Sequence, residues 1–337
     1  MPRKAKPAFD ADQLLAEFKV YDRAVDVVSS YHWLFTSVTE LADTVKHFER
    51  YPKIAVPGKA VTPDFTVVFS DGVGLAGEVA QIALREESVD SVCRQLQAYS
   101  ELTEMPGPPN HRGVQRAVSV DPVDVLFLNP VSTVADAARR VFTERMDDPE
   151  HTFSPARQPV LVQFSQDGDA YVFLTWPQGN GTFHRGQRTT VYGDIDPFVC
   201  RPEQFQHNKV RYGFMNDPVV ALYMAVRLWT SVLPNAFWGD EVTVPLAGLV
   251  TAVHDQHEGA GKTDDVRRGM QVLVAAGLAK ETDPGKEWVV TRRRLRGDKN
   301  LAVEIAERVR KGAQAPAPPP TRRSRSTKPA DGQGSLF

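Results

Sequence analysis

Apolar residues recur at helical spacing near the start of the chain. Leu14, Leu15, Phe18 and Tyr21 fall on one stripe and Val25 and Val28 continue it. A second stripe, Val38, Leu41, Ala42, Val45 and Phe48, extends the helical expectation to about Tyr51, with Ser37 or Thr39 as its cap. The texture then changes to period two. Residues 65–69 are apolar and β-branched, Ser70-Asp71-Gly72 reads as a turn, and residues 75–82 return as a second strand. Residues 86–102 read as a helix with Val89, Val92, Cys93, Leu96 and Tyr99 on its apolar face. A Pro/Gly loop over 105–110, a buried-type strand over 123–128 and a helix over 134–146 follow. Helix, strand pair, helix, strand, helix predicts an α/β domain around a mixed sheet.

Beyond position 150 the pattern is first β. Residues 160–164 and 171–176 flank Asp167-Gly168-Asp169, a hairpin signal, and an apolar helix is expected over 218–233. Residues 240–311 carry their own order: a short helix over 245–254, a longer one over 263–277 with Thr263 as N-cap and Gly277 as stop, and a strand pair around Asp283-Pro284-Gly285. That order resembles a winged helix-turn-helix with residues 283–287 as wing tip, closed by a helix over 301–311. After Gly312 the chain turns to Ala, Pro, Arg and Ser, too poor in apolar residues to order itself. The expected divisions are an N-terminal helical extension (1–30), an α/β domain (31–150), a β-rich middle region with a helix (151–239), the helix–wing module (240–311) and a basic Pro-rich tail (312–337).

Composition narrows the picture. With 42% apolar and 24% charged residues the chain reads as a soluble globular protein. A formal net charge of −2 means that attraction to nucleic acid has to come from local patches. Two cysteines, Cys93 and Cys200, provide neither a disulfide framework nor a zinc knuckle. No apolar h-region follows the basic start and no apolar run approaches the roughly 20 residues of a membrane span, so the expectation is a cytoplasmic protein.

The candidate chemistry lies in the strand pair. Asp64 opens the first strand after Pro63, and Glu78 sits in the returning one, in Gly77-Glu78-Val79-Ala80-Gln81. Two carboxylates meeting on one sheet face form a hard-oxygen site for Mg²⁺. The ion lowers the pKa of a bound water and offsets charge on a phosphate.

These residues carry a family resemblance. Pro63-Asp64 with Glu78-x-Ala80 resembles the PD-(D/E)xK nuclease signature, and Gln95-x-x-x-Tyr99 in the next helix is similar to the Q-x-x-x-Y element of its RecB-like branch. The resemblance covers roughly residues 30–145. It implies the restriction-endonuclease-like mixed sheet flanked by helices and a metal-dependent DNA nuclease. Asp64 and Glu78 would bind Mg²⁺ or Mn²⁺, Glu40 would add an acid beside the metal, and Gln95 and Tyr99 would support DNA and site. The departure is at position 80, where the family's lysine is replaced by Ala80. Gln81 would need a bulge to be re-aimed into its place, and Arg85 or Arg94 are alternative sources of the charge.

Further features point to partners. Arg267 and Arg268 on the candidate reading helix, with Lys286, Arg292, Arg293 and Arg294, make a basic strip suited to phosphate contact. Phe183, His184, Arg185, Arg188 and Tyr192 mix aromatic and basic side chains in the middle region. The final Gln333-Gly334-Ser335-Leu336-Phe337 resembles the peptide that binds the bacterial sliding clamp, with Gly334 in place of a leucine. Expected partners are therefore DNA and, through Gln333, Leu336 and Phe337, that clamp. The alternatives are a non-catalytic binding or regulatory factor on a degenerate nuclease fold, and a transcription regulator centred on the winged helix.

Overall fold

The structure is a computed structural model that describes residues 9–56, 59–80, 86–112, 114–148, 150–176, 197–207, 213–215, 218–237, 239–256, 261–292, 295 and 300–314. It is a mixed α/β arrangement built on a seven-stranded sheet. Helix α1 (Ala11–Ser37) opens the chain, and Asp10 caps it by accepting from the backbone N–H groups of Asp12 and Gln13 at 2.8 and 3.2 Å. A single turn, α2 (Thr39–Ala42), leads into β1 (Val45–Arg50), followed by a small ribbon, β2 (Ile54–Val56) and β3 (Lys59–Val61). Strands β4 (Phe65–Phe69) and β5 (Gly74–Val79) form the hairpin, and α3 (Glu86–Ser100) crosses over to β8 (Val123–Pro130). A second ribbon, β6 (Glu104–Pro106) and β7 (Ala117–Ser119), lies in that crossover.

Helix α4 begins at Val134–Ala137 and continues with wider π-type turns over Ala138–Met146. Strands β9 (Val160–Asp167), β10 (Ala170–Thr175) and β11 (Phe198–Cys200) then extend the same sheet in the order β1-β4-β5-β8-β9-β10-β11. The sheet therefore runs without a break across position 150. Strands β1, β4 and β5 are antiparallel neighbours, β5, β8 and β9 are parallel, and β9, β10 and β11 are antiparallel again.

Helix α1 covers one face of this sheet. Tyr31 stacks on Phe65 at 5.3 Å and meets Phe173 edge-on at 5.1 Å, so one residue ties β4 to β10 beneath the helix. Arg50, at the end of β1, reaches up to the Nδ1 atom of His32 in α1 with its Nε and Nη2 at 2.9 and 2.7 Å, and His32 stacks on Phe48. Helix α3 covers the other face.

Three expectations are corrected. The stripe ending in Val45 and Phe48 is not helical: residues 45–50 form β1, paired with β4. A register shift between Val45 and His47 inserts an extra residue, so apolar side chains three apart serve one sheet face and mimic helical spacing. The Pro/Gly loop over 105–110 begins as a strand, because Glu104–Pro106 pairs with Ala117–Ser119. Thr263 is the first helical residue and not the cap: Lys262 precedes the helix, and its backbone N–H donates to the buried carboxylate of Asp265 at 2.9 Å.

The C-terminal part starts with α5 (Pro202–His207) and α6 (Ala221–Arg227), the latter continuing through Leu228–Val232 and Leu233–Ala236 in π and 3-10 turns. Then come β12 (Glu241–Pro245), α7 (Leu246–Gln256), α8 (Thr263–Ala275), β13 (Ala279–Asp283), β14 (Glu287–Thr291) and α9 (Leu301–Gln314). The three strands form a separate small sheet in the order β12-β14-β13, with Trp288 fully buried in it. This module is docked onto the main body. Helices α6 and α8 meet so closely at Gly269 that a Cβ there would lie 2.6 Å from Met224 Cγ, and Arg310 in α9 pairs with Asp12 in α1. Among the described residues no helix is long and apolar enough to cross a membrane.

Candidate functional site

The hairpin register sets Asp64 across the ladder from Glu78. The ladder between β4 and β5 sets Phe65 against Gly77, and Asp64 stands one step beyond it. The Asp64 backbone N–H donates to Gly77 O at 2.9 Å, and its Oδ2 accepts the Val79 N–H at 2.7 Å. These two bonds fall on the residues either side of Glu78, so Asp64 is pinned against it. Asp64 is buried and acts as the edge of the ladder where the β4 backbone has run out. The Ala80 N–H turns the other way, to Leu128 O in β8 at 2.8 Å.

The hairpin comes this close because of Gly77. A Cβ on it would sit 2.2 Å from the Phe65 ring, so only a glycine lets that ring lie across the strand. Phe65 in turn belongs to the aromatic cluster under α1, which links the position of Asp64 to the core.

Glu78 is half-buried and has a partner from the helix above. The Tyr99 hydroxyl donates to Glu78 Oε2 at 3.0 Å, and Tyr99 itself has no exposure. Tyr99 therefore anchors a site carboxylate from inside the core. Gln95, one turn earlier on the same side of α3, is exposed. Arg94 is exposed too and lines two adjoining depressions along the outer side of α3, of about 590 and 180 Å³. Position 94 is turned roughly 140° from Tyr99 on a helix of 3.6 residues per turn, so the Arg94 side chain leaves the helix away from Glu78. Glu40 lies in α2, but its side chain is outside the described residues, as are Gln81, Arg85 and the cluster Phe183, His184, Arg185, Arg188 and Tyr192.

Two residues on the elements around Asp64 and Glu78 escaped the sequence reading. Tyr51 has a backbone φ of 50°, a left-handed conformation that costs a bulky residue energy, and its N–H donates to Asp64 O at 3.0 Å. Burial first and the neighbouring Asp64 carboxylate second hold its phenol well above the ordinary range, and its hydroxyl rests on Met215 Sδ at 3.0 Å. The second is Asn129, near the end of β8. It is 1% exposed, and neither atom of its amide head has a hydrogen-bond partner among the described residues. Neither carries a motif; the signal in each case is an X-Pro pair at a strand end, Tyr51-Pro52 and Asn129-Pro130.

The donor set is modest. Among the described residues there is no group of three or more His, Cys, Asp or Glu side chains gathered as for a metal. Another buried acid of this sheet, Asp124, is opposite Leu75 and hence on the α1 side, where it pairs with Arg157 at 2.7 Å. Asp64 and Glu78 are the two carboxylates here that could hold an ion such as Mg²⁺, which is commonly bound by one or two carboxylates and completes its shell with water and phosphate.

In the C-terminal module the basic residues divide in two. Arg267 is half-buried and engaged: its Nε donates to Gly285 O in the hairpin turn at 3.2 Å and its Nη1 pairs with Asp264. Arg268, Lys286 and Arg292 are exposed. Arg293 and Arg294 lie outside the described residues, and so do Gln333, Leu336 and Phe337. Comparison with family models, with curated proteins and with solved structures finds no match to this chain.

Proposed function

We propose that the chain is a metal-dependent DNA nuclease of the PD-(D/E)xK type, cleaving phosphodiesters with Asp64 and Glu78 as the metal-holding pair. The observation that carries this reading is the pinning of Asp64 by bonds to both neighbours of Glu78. A sheet spends two hydrogen bonds, one of them to a buried carboxylate, on that juxtaposition, and the resemblance names the same two residues. A bound Mg²⁺ or Mn²⁺ would supply charge neutralisation and an acidified water at the scissile phosphate. The chain's own groups do the rest: Tyr99 fixes the Glu78 rotamer, and Gln95 stands exposed one turn away, where a strand could be met.

The strand–helix–helix–hairpin order of the C-terminal module supports reading it as a winged helix that grips duplex, with Arg268, Lys286 and Arg292 toward phosphates. The clamp-binding role of Gln333, Leu336 and Phe337 rests on the sequence alone.

The test is cleavage of duplex, single-stranded and branched DNA in Mn²⁺ by the wild type and by Asp64→Ala. Cleavage lost in the variant supports the reading; equal behaviour of the two overturns it. A second reading is favoured by Ala80: a factor that binds DNA through the same fold without cutting it. It predicts binding that survives Asp64→Ala and no cleavage by the wild type.

A further inference from the structure

Asn129 is a buried polar residue with no visible reason to be polar. Both ends of its amide head are unpaired among the described residues, which native interiors rarely tolerate and which leaves the head free to meet a water, an ion or another small polar group. Its position says where that group sits. Strands β5 and β8 run parallel with Glu78 opposite Phe127 and Val79 opposite Leu128, and the Ala80 N–H to Leu128 O bond carries the pairing on. The next step sets Asn129 beside Ala80. Alternation puts Asn129 on the same face as Phe127, and therefore as Glu78, under the helix that sends down Tyr99. The residue beside it, Ala80, is where a lysine is missing.

We propose that Asn129 is the third protein group of the site: its Oδ1 is an oxygen ligand for the divalent ion held by Asp64 and Glu78, and its Nδ2 is turned toward the space that a lysine at position 80 would occupy. The inference rests on the carboxylate reading above. A carboxamide oxygen is a hard neutral ligand of the kind that joins carboxylates around such ions. It adds a ligand without adding negative charge, which suits a site that has lost its cation. Ala80 carries only a methyl group beside Asn129, and the Nδ2–H groups would supply donors for a phosphate oxygen or water that a lysine would otherwise meet.

The probe is Mn²⁺ and the protein is the full chain. Free Mn²⁺ is followed by its electron paramagnetic resonance signal, and thermal melting is recorded with and without the ion. Asn129→Leu keeps the size of the side chain and removes the amide. We expect the variant to melt at the wild-type temperature or higher in metal-free buffer, because a buried amide without partners stabilises nothing. Its Mn²⁺ affinity should fall by about ten-fold or more, as for losses around metal sites, and its Mn²⁺-induced rise in melting temperature should shrink accordingly. Asn129→Asp should bind Mn²⁺ at least as tightly as the wild type. If Asp64→Asn loses Mn²⁺ while Asn129→Leu binds it like the wild type, the carboxylate site stands and Asn129 is not part of it. A large drop in the metal-free melting temperature of Asn129→Leu assigns the residue to the core and also overturns the proposal. If the wild type takes up no Mn²⁺, the carboxylate reading and this inference fall together.

Discussion

Tyr99, with no surface of its own, gives its hydroxyl hydrogen to Glu78 Oε2 at 3.0 Å and so joins the crossover helix to a strand of the hairpin. Tyr99→Phe removes that bond and keeps the ring. Urea unfolding should show a loss of about 1–2 kcal/mol, and Mn²⁺ affinity should drop by about ten-fold because Glu78 loses its orientation. Unchanged affinity would mean that Glu78 is held in place without the phenol.

A Cβ added to Gly77 would lie 2.2 Å from the ring of Phe65, closer than any side chain tolerates. Gly77→Ala should cost about 1–3 kcal/mol in urea unfolding, the usual range for forcing extra volume into a packed interior. It should also impair any activity that depends on Asp64, since Gly77 O holds the Asp64 N–H. A variant as stable as the wild type would show that Phe65 moves aside freely.

How much of this was legible in the sequence depends on distance along the chain. The 65–69 and 74–79 hairpin, the 86–100 helix and the 263–275 helix announced themselves through local period and turn residues. Asp64 and Glu78 could be paired because a single tight turn separates them. β1 was hidden because an irregularity in its register gave it a helical rhythm. Asn129 was invisible for another reason: its neighbour Ala80 lies 49 positions back in the chain, and only the parallel register joins them. Tyr99 was legible as a residue of the helix's apolar face, but nothing in a Q-x-x-x-Y spacing tells that its hydroxyl meets Glu78. Lys262 and Asp265 show the same limit at short range, since Thr263 has the better chemistry for a cap and stands one residue too late.

His32 supplies a pH dependence. Burial, and secondarily the Arg50 guanidinium, lower its pKa from 6.5 to about 3. The folded protein keeps the ring neutral as an acceptor for Arg50, whereas the unfolded chain takes up a proton below 6.5. Stability from this residue is therefore complete above pH 6.5 and declines as pH falls from 6.5 toward 3, by up to about 1.4 kcal/mol per pH unit. Urea midpoints measured between pH 7 and 4.5 should fall more steeply for the wild type than for His32→Asn, which keeps an acceptor and cannot titrate. Parallel curves would assign the acid sensitivity elsewhere.

The basic residues of the C-terminal module should separate in a salt titration of DNA binding. Arg268→Ala, Lys286→Ala and Arg292→Ala should each reduce the slope of log K against log salt by about 1 if each meets one phosphate. Arg267→Ala should instead lower the melting temperature, because Arg267 fastens the helix to Gly285 in the hairpin turn. Slopes equal to the wild type in all three exposed variants would remove this face from the DNA reading.

The missing side chain at Gly269 lets α8 lie directly on α6, and Arg310 adds a tie from α9 to α1. The C-terminal module and the sheet are thus packed against each other rather than beads on a string. In the proposed nuclease that packing would act as a caliper: a nucleic acid engaging both would have to span a set number of nucleotides or bend to meet them.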